Sequence, residues 1–551
     1  MKRILIHMLL IVGLVAVSSC NFDDFLDNPN EVTAASTNVD FLLNRIQVDF
    51  AAFYRGTSAR GQQVTRIRHQ AADTYEISHQ AVEQNGTWNT AYANILNDIK
   101  TLKALAEAGN FRRHLAIAQT IEAYVWMVLV DTFGDVPYSE ALDPANFNPK
   151  RDGGADVYRA ALALLNDAKA NFNVATTLGT PNDYFYARTY SRWVRLANTL
   201  LLRYHLNLRL VDSNASRTAI NALIAENNFL QVGDEFIWRY GVSLADPASI
   251  NPLYNGQYPA GGGAYQSVFF MWHLTEAKKP TPGDGSASPD PRAHYYFYRQ
   301  VGTNPTSGSQ VRCIEEFPPN HYPVDIVWCM PGTRGYWGRD HLDPQGIPPD
   351  NLGRTLFGVY PVGASFDNNQ PAGITAANRG AGGAGIEPIM LPAYVDFMLA
   401  EAALTLGTNG DPRALMLSGA TKHINFVRSW SLSTAEAAKI RAFQSDADFN
   451  TLRDQYIKTI GDQYDAASNK LRIVAREYWI SLYGSGNEAY NLYRRTGQPD
   501  RMQPGQIANF GRFPRTFFYP ADHINLNSNA TQKANHDVRV FWDNNPIGFI
   551  D

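Results

Sequence analysis

The chain has 551 residues, a formal net charge of −4 and 12% aromatic residues. A chain of this length is long enough to bury a large core, and its weakly acidic balance provides no basic field that would attract nucleic acid. The composition therefore excludes proteins that bind nucleic acid through a basic surface. It also predicts many aromatic rings for core packing or for stacking on a ligand.

The start of the chain is typical of an export signal. Two basic residues precede an apolar run over residues 4–17, which is shorter than the roughly 20 residues that span a bilayer. The run ends in V-S-S-C at Cys20, where small residues precede a cysteine that can be acylated. We therefore predict a bacterial lipoprotein signal over residues 1–19 and a lipid on Cys20. An ordinary secretory signal with a chance cysteine is the alternative.

The acidic stretch NFDD directly after Cys20 resembles the surface-export tag of lipoproteins in Bacteroidetes-type bacteria. No second apolar run is long enough to span a membrane, and YVWMVLV at 124–130 is interpreted as a buried helix turn or two. We therefore expect a protein that is held at the outer membrane by its lipid, faces the cell exterior and is otherwise soluble.

Helices dominate the first part of the predicted domain, residues 36–240. Apolar and small residues recur at helical spacing through RRHLAIAQTIEAYVWMVLVDTF, and Gly134 ends that helix. Residues 156–172 and 192–211 show the same spacing. Helical patterns return over residues 389–551, where LPAYVDFMLAEAALTL is followed by a glycine suited to a helix C-terminus. Such helix pairs suggest tetratricopeptide-like repeats, although no clean repeat period is visible.

The middle of the chain, residues 241–388, is rich in glycine and proline, as in PAGGGAY and PQGIPPDNLG. This composition breaks regular elements and predicts long loops, which often carry binding sites. Cys313 and Cys329 lie in this region. In an oxidising compartment they are predicted to form a disulfide, with free thiols or a metal site as the alternatives.

The common enzymatic signatures are missing from the sequence. It contains no G-x-S-x-G, H-E-x-x-H or G-x-x-x-x-G-K-[ST] motif. Among 52 acidic residues, a glycosidase carboxylate pair can be neither identified nor dismissed. Because these motifs are missing, we expect a protein without catalysis, cofactor or metal, and a surface glycosidase is the alternative.

The stretch NGTWNTAYANIL is the most informative candidate for ligand binding. Trp88, Tyr92 and Ile95 fall on one helix face at i, i+4 and i+7. The apolar C–H face of a sugar fits an aromatic surface, and the amides of Asn85 and Asn89 are suited to its hydroxyls. We therefore predict that Trp88, Asn85 and Asn89 contact a ligand. The alternative is that the three apolar side chains form a buried helix face.

A second candidate cluster lies in the loop RGYWGRDHLDPQG, which combines aromatic and charged side chains. Trp337, Arg339 and Asp340 are predicted to contact the ligand, and Tyr75 in the first helical part is added to this set. His341 is interpreted as a hydrogen-bonding residue and not as a catalytic one, because a lone histidine in a loop more often has a structural role.

Several segments, taken together, resemble the SusD/RagB family. They are TFGDVPYSEAL, LAEAAL, REYWISLYGSGNEAYNLYRRTGQP and RFPRTFFYPADHINLN, in that order behind the lipoprotein signal. NPN near the anchor, DPR at 290–292 and WGRDH…GIPPD…GVYP…FD look like the SusD-like second subfamily. The resemblance covers nearly all of residues 20–551. It implies a mainly α fold, with a tetratricopeptide-like helix-pair scaffold and a large irregular, loop-rich insertion.

The resemblance also implies a function. SusD-like proteins bind nutrient oligosaccharides at the cell surface and pass them to a SusC-like TonB-dependent transporter in the outer membrane, without catalysis. Binding residues vary widely in this family, so the resemblance predicts the fold and the partner better than the ligand. A peptide-binding member of the same family is the main alternative, and a surface glycosidase is the third.

Overall fold

The computed structural model describes residues 38–175, 177–259, 261–262, 264–278, 290–306, 315–345, 353–374, 379–546 and 548–550. The expected signal, Cys20 and Cys313 lie outside the described residues. The predictions that concern them are therefore not addressed by the fold.

The first helical part consists of eight described α-helices. They are α1 (Val39–Val64), α2 (Tyr75–Ser78), α3 (Asn85–Asn89), α4 (Asn97–Ala108), α5 (Arg112–Phe133), α6 (Gly154–Phe172), α7 (Tyr190–Asn207) and α8 (Ser213–Glu226). A 3₁₀ turn precedes α3 (Ala81–Gln84), a π-helical segment joins α3 to α4 (Thr90–Leu96), and a second 3₁₀ turn follows α7 (Leu208–Leu210).

Short elements and loops make up the described middle of the chain, and long helices then return. The short elements are α9 (Pro252–Gln257), α10 (Val268–Thr275), α11 (Ala293–Tyr296), β2 (Phe297–Tyr298) and β3 (Leu356–Phe357). The later helices are α12 (Pro392–Leu406), α13 (Pro412–Ser431), α14 (Ala437–Phe443), α15 (Asp446–Ala466), α16 (Lys470–Ser481), α17 (Gly486–Thr496) and α18 (Ala521–Leu526). This architecture confirms the predicted fold class.

The described residues form two small antiparallel sheets. Strand β1 (Phe236–Arg239) pairs with β4 (Ile386–Met390), so that Phe236 lies opposite Met390. Strand β2 pairs with β3, with Phe297 opposite Phe357. Since β1 follows the first helices and β4 precedes α12, their pairing brings the two ends of the loop-rich middle next to each other.

Helix pairs that are consecutive in the chain pack against each other, as α5 does on α6 and α12 on α13. Helix α5 has 22 residues and is buried over nearly its whole length. It is the described helix long and apolar enough to cross a membrane, but 94% of its most apolar stretch is buried inside the protein. YVWMVLV is therefore part of a long core helix and not an isolated turn or two.

Glycines end two of the predicted helices as expected. Gly134 has a φ of 80° after α5, and Gly407 adopts the left-handed conformation after α12. The helical spacing predicted over residues 192–211 is confirmed in α7, where Trp193, Ala197, Leu200 and Tyr204 form a buried face. The prediction fails at Val211, which is 49% exposed, because the helix has already given way to a 3₁₀ turn.

The first helix packs on a late one through two glycines. A Cβ atom on Gly61 of α1 would lie 2.1 Å from the carbonyl oxygen of Gly486, and a Cβ on Gly486 would meet the backbone of Ser58. The Ser58 hydroxyl accepts a hydrogen bond from the Gly486 N–H at 2.8 Å. The backbones of α1 and α17 therefore approach each other more closely than any residue with a side chain permits.

Buried ion pairs also connect distant helices. Arg203 on α7 donates to Asp131 on α5 and to Glu488 on α17, each at 2.6 Å, and its side chain is fully buried. Arg292 next to α11 pairs with Asp290 at 2.8 Å in a second buried cluster. Removal of one partner from such a pair leaves an uncompensated charge, so these contacts fix the relative placement of the helices.

Candidate functional site

The helix that carries Trp88 is irregular. Helix α3 runs without a break into the π-helical segment Thr90–Leu96 and then into α4. The wider π turn alters the register of the side chains, and such segments often occur at functional sites. Trp88 and Ile95 are buried and Tyr92 is half-buried, so this face is partly core and partly open.

An open pocket of about 440 Å³ lies beside this helix. Its described lining comprises Trp88, Tyr92, Ala93, Asn97, Pro137, Ala141, Leu142, Pro149 and His523. The Trp88 ring lies between the other two rings of the lining, at 4.6 Å from Tyr92 and 4.8 Å from His523 between centroids. Phe133 supports the indole edge-on at 5.2 Å. Together these rings form an aromatic wall, which we define as Trp88, Tyr92 and His523.

His523 reaches the pocket from α18, near the C-terminal end of the chain. The Asn85 side-chain oxygen accepts a hydrogen bond from the Asp522 backbone N–H at 3.2 Å, which ties α18 to α3. Burial, followed by the nearby Arg151, lowers the pKa of His523 to about 4. The imidazole is therefore neutral at pH 7. Its buried Nε2 has no hydrogen-bond partner among the described residues.

The pocket is uncharged and mixed in polarity. The Tyr92 hydroxyl donates to the Pro137 carbonyl at 2.7 Å, so its phenol is already engaged, whereas Asn97 is exposed. The described lining contains no carboxylate, and glycosidic hydrolysis by the usual route requires a pair of them. Within the described residues there is also no group of three or more potential metal ligands. This pocket is suited to stacking and hydrogen bonding of a neutral ligand.

The three ligand-binding residues predicted in NGTWNTAYANIL have different surroundings in the structure. Trp88 lines the pocket, and 7% of its surface is exposed. Asn85 holds α18 in place through its side chain. Asn89 is exposed but is not part of the described lining. The alternative of a buried helix face therefore holds for Ile95, while Trp88 both packs in the core and faces the pocket.

The second predicted cluster is buried and does not line this pocket. Tyr75, Trp337, Arg339 and Asp340 are each at most 4% exposed. The Tyr75 hydroxyl and His341 Nε2 are 2.9 Å apart, in agreement with the structural role expected for that histidine. Tyr75 on α2 and the three residues of the loop all face the interior, so these side chains have almost no surface to offer a ligand.

Arg339 and Asp340 make internal contacts instead. The Arg339 guanidinium lies 4.4 Å from the ring centroid of Tyr265 and donates to the Gln345 carbonyl at 3.0 Å. Asp340 accepts hydrogen bonds from the Cys329 N–H at 2.9 Å and from Gln503 at 2.6 Å. Burial raises the pKa of Asp340 to about 7. Cys329 itself is disulfide-bonded, and its pairing with Cys313 stays a prediction.

Sequence reasoning missed His523 and Asn97 as lining residues, and it placed Tyr92 on the right face without assigning it to the site. His523 belongs to the segment RFPRTFFYPADHINLN, which contributed to the family resemblance but carried no residue role. Nothing in the sequence places this segment beside Trp88, because the contact spans 437 residues between Asn85 and Asp522.

The sequence of part of the chain matches a known protein family. Residues 29–268 match a SusD-like family model described as "Starch-binding associating with outer membrane". No curated protein matches the chain.

Solved structures with the same fold align with more than nine-tenths of the chain. A chitin-binding protein has a TM-score of 0.65 and 20% identity, and the match covers 92% of this chain and 100% of that one. A SusD/RagB family protein from Bacteroides thetaiotaomicron has a TM-score of 0.64 and 18% identity, with 93% and 100% covered. A chitin-binding SusD homologue from Flavobacterium johnsoniae has a TM-score of 0.61 and 18% identity, with 92% and 98% covered.

These similarities confirm the resemblance to SusD-like proteins that the sequence motifs indicated. The family match covers only residues 29–268. Structural similarity extends well beyond it and at these identities concerns the fold. The chain is SusD-like over residues 29–268, and its fold along the described chain is that of the SusD/RagB proteins.

Proposed function

We propose that this protein binds nutrient oligosaccharides at the bacterial cell surface, without catalysis, and passes them to a SusC-like TonB-dependent transporter. The ligand site of this proposal is the pocket beside Trp88. The observation that carries it is the uncharged lining with an aromatic wall, because a neutral sugar presents apolar C–H faces and hydroxyls to the same surface.

What similar proteins bind supports a glycan as the ligand. The family match names starch binding in association with the outer membrane, and two structural neighbours are named as chitin-binding. Each ring of the aromatic wall contributes about 1 kcal/mol by stacking, which together with a few hydrogen bonds gives moderate affinity. Moderate affinity suits a protein that has to release its ligand to a partner.

Isothermal titration with chito-oligosaccharides and malto-oligosaccharides tests the proposal. We expect saturable binding of one class, with product analysis showing that the sugar is not cleaved. The variant His523→Ala removes one ring of the wall and should weaken binding about tenfold. His205→Ala is the matched control, since His205 is also half-buried, has a pKa lowered to about 4 by burial and lies outside the pocket.

Three outcomes would count against the proposal. An equal change of oligosaccharide affinity in both histidine variants would show that the pocket beside Trp88 is not the ligand site. Hydrolysis of the oligosaccharide would indicate the glycosidase alternative. Binding of a peptide pool, with no glycan bound, would assign the protein to the peptide-binding alternative.

The cellular part of the proposal has its own tests. We infer that residues 1–19 are removed, that Cys20 carries the lipid, and that residues 20–551 form one SusD-like domain. Cys20→Ala should move the protein from the outer-membrane fraction to the soluble fraction, and retention in the membrane would contradict a lipid anchor. Purification from detergent extracts should also recover a β-barrel transporter of the TonB-dependent class.

A further inference from the structure

A second cavity lies where the three parts of the chain meet. It has a volume of about 250 Å³, and we call it the arginine pocket after Arg55 and Arg68 in its lining. Helix α1 and the segment after it provide one side, the start of α9 and β3 provide another, and Glu387 of β4 with Tyr483 before α17 provide the third. None of these residues lines the pocket beside Trp88.

The cavity opens to solvent at one end. Ala59 on α1 is half-buried and Pro252 is exposed, so they lie at the mouth. Arg68 and Tyr483 are 8% and 1% exposed and lie at the floor. Apolar side chains, including Phe357 and Val362, form much of the wall.

The floor carries a buried positive charge that the described residues neutralise only in part. Arg68 forms no ion pair with a described carboxylate, and its buried Nε–H has no acceptor among the described residues. Its guanidinium carbon lies 5.5 Å from the centroid of the Phe357 ring. Burial lowers the pKa of Arg68, yet an arginine remains protonated at neutral pH. A buried charge of this kind is costly unless it is paired.

Glu387, the one carboxylate of the described lining, already has other partners. Glu387 accepts a hydrogen bond from the Tyr240 hydroxyl at 2.9 Å, and Arg55 donates to the same hydroxyl at 3.1 Å. Burial raises the pKa of Glu387 to about 7, against the opposing influence of Arg55, Tyr240 and Arg68. At neutral pH Glu387 therefore balances only part of the charge of two arginines.

We propose that the arginine pocket binds a small organic acid, whose carboxylate pairs with Arg68 and whose apolar body lies against Phe357 and Val362. A guanidinium offers the planar pair of donors that a carboxylate accepts. The volume accommodates an acid of about ten non-hydrogen atoms, below the range typical of drug-sized ligands. The binding site is additional to the proposed oligosaccharide pocket.

Calorimetric titration with benzoate, benzamide and benzamidine tests charge at nearly constant shape. We expect benzoate to bind saturably and the neutral and cationic analogues to bind at least about tenfold more weakly. Inorganic phosphate should compete poorly, because it has no apolar body. Equal binding of benzoate and benzamide, or an affinity for phosphate equal to that for benzoate, would overturn the proposal.

Substitutions inside and outside the arginine pocket test whether benzoate binds there. Arg68→Met should weaken benzoate binding at least about tenfold, whereas Arg45→Met, at an exposed position of α1, should leave it unchanged. If Arg68→Met fails to fold, Ala59→Phe at the mouth serves the same purpose, since it blocks entry without removing charge. Benzoate binding that survives Ala59→Phe, or that is lost in His523→Ala, would place the acid elsewhere and refute the inference.

Discussion

Trp88 has two roles that a single substitution removes together. Its indole packs on Phe133 in the core and also forms the centre of the aromatic wall. If a smaller side chain at this position abolishes ligand binding, the cause is either a lost ligand contact or a destabilised core. Measuring folding stability in the same preparation distinguishes the two.

For Trp88→Ala we expect a lower free energy of unfolding, by about 3–5 kcal/mol, because a buried aromatic side chain leaves a cavity. Sugar affinity should fall as well, since the central ring of the wall is gone. Urea unfolding and calorimetry measure the two effects. Trp88→Phe should recover part of each. A variant with unchanged stability would show that Trp88 belongs to the wall alone.

His423 on α13 is fully buried, and neither ring nitrogen has a hydrogen-bond partner among the described residues. Burial, followed by Arg292, lowers the pKa of His423 well below its ordinary value. Because the unfolded chain binds the proton more readily, stability is lost as the pH falls below the unfolded value of about 6.5.

We therefore expect His423→Phe to stabilise the protein increasingly as the pH falls. At pH 7.5 the change should be small, since the ring keeps its contacts with Tyr394 and Tyr360. At pH 5.5 the variant should be more stable than the parent, because it has no proton to take up on unfolding. Urea unfolding at the two pH values measures this, and an equal difference at both would contradict it.

Among the elements, helix ends depend on backbone conformation as well as on packing. Gly407 ends α12 with a φ of 66°, and a Cβ added there would meet no atom within 4 Å. Gly86, inside α3, has the same open surroundings but a helical conformation. Because neither position is crowded, comparing the two isolates the effect of backbone conformation on stability.

Gly407→Ala should lower the free energy of unfolding by about 1 kcal/mol, because a residue with a side chain is strained in the left-handed region. Gly86→Ala should raise it by up to about 1 kcal/mol, because alanine favours a helix. Urea unfolding measures both changes. The slope of the free energy of unfolding against urea concentration should be the same in the variants and in the parent protein. The same sign at the two positions would refute this account of the C-terminus of α12.

Individual helices were predictable from the sequence because their signals are local. The periodicity through α5, α7 and α12 and the glycines after α5 and α12 require no knowledge of distant residues. The site was only partly predictable. Trp88 was identified from its neighbours on the helix, whereas His523 reaches the pocket from the far end of the chain. The burial of Trp337 and Arg339 was missed because a loop rich in glycine and proline gives no periodic indication of its inner side.

At the scale of the whole molecule, the contact between α1 and α17 joins the two helical parts. We expect Gly61→Ala to destabilise the protein severely, because its Cβ would lie 2.1 Å from a backbone oxygen that no rotamer change can move. Thermal unfolding should show a large drop in the melting temperature. Gly256→Ala is the control, since its Cβ would meet nothing within 4 Å. Similar melting temperatures for the two variants would contradict the tight crossing.

The same crossing bears on how the polypeptide is made. Its first helix finds its glycine partner only after residue 486 has left the ribosome, so the fold stays incomplete during nearly all of translation. An incompletely folded chain is the form that a secretion channel passes. If the signal proposed for residues 1–19 exports this protein, the late contact would leave the chain able to cross the membrane before its fold is complete.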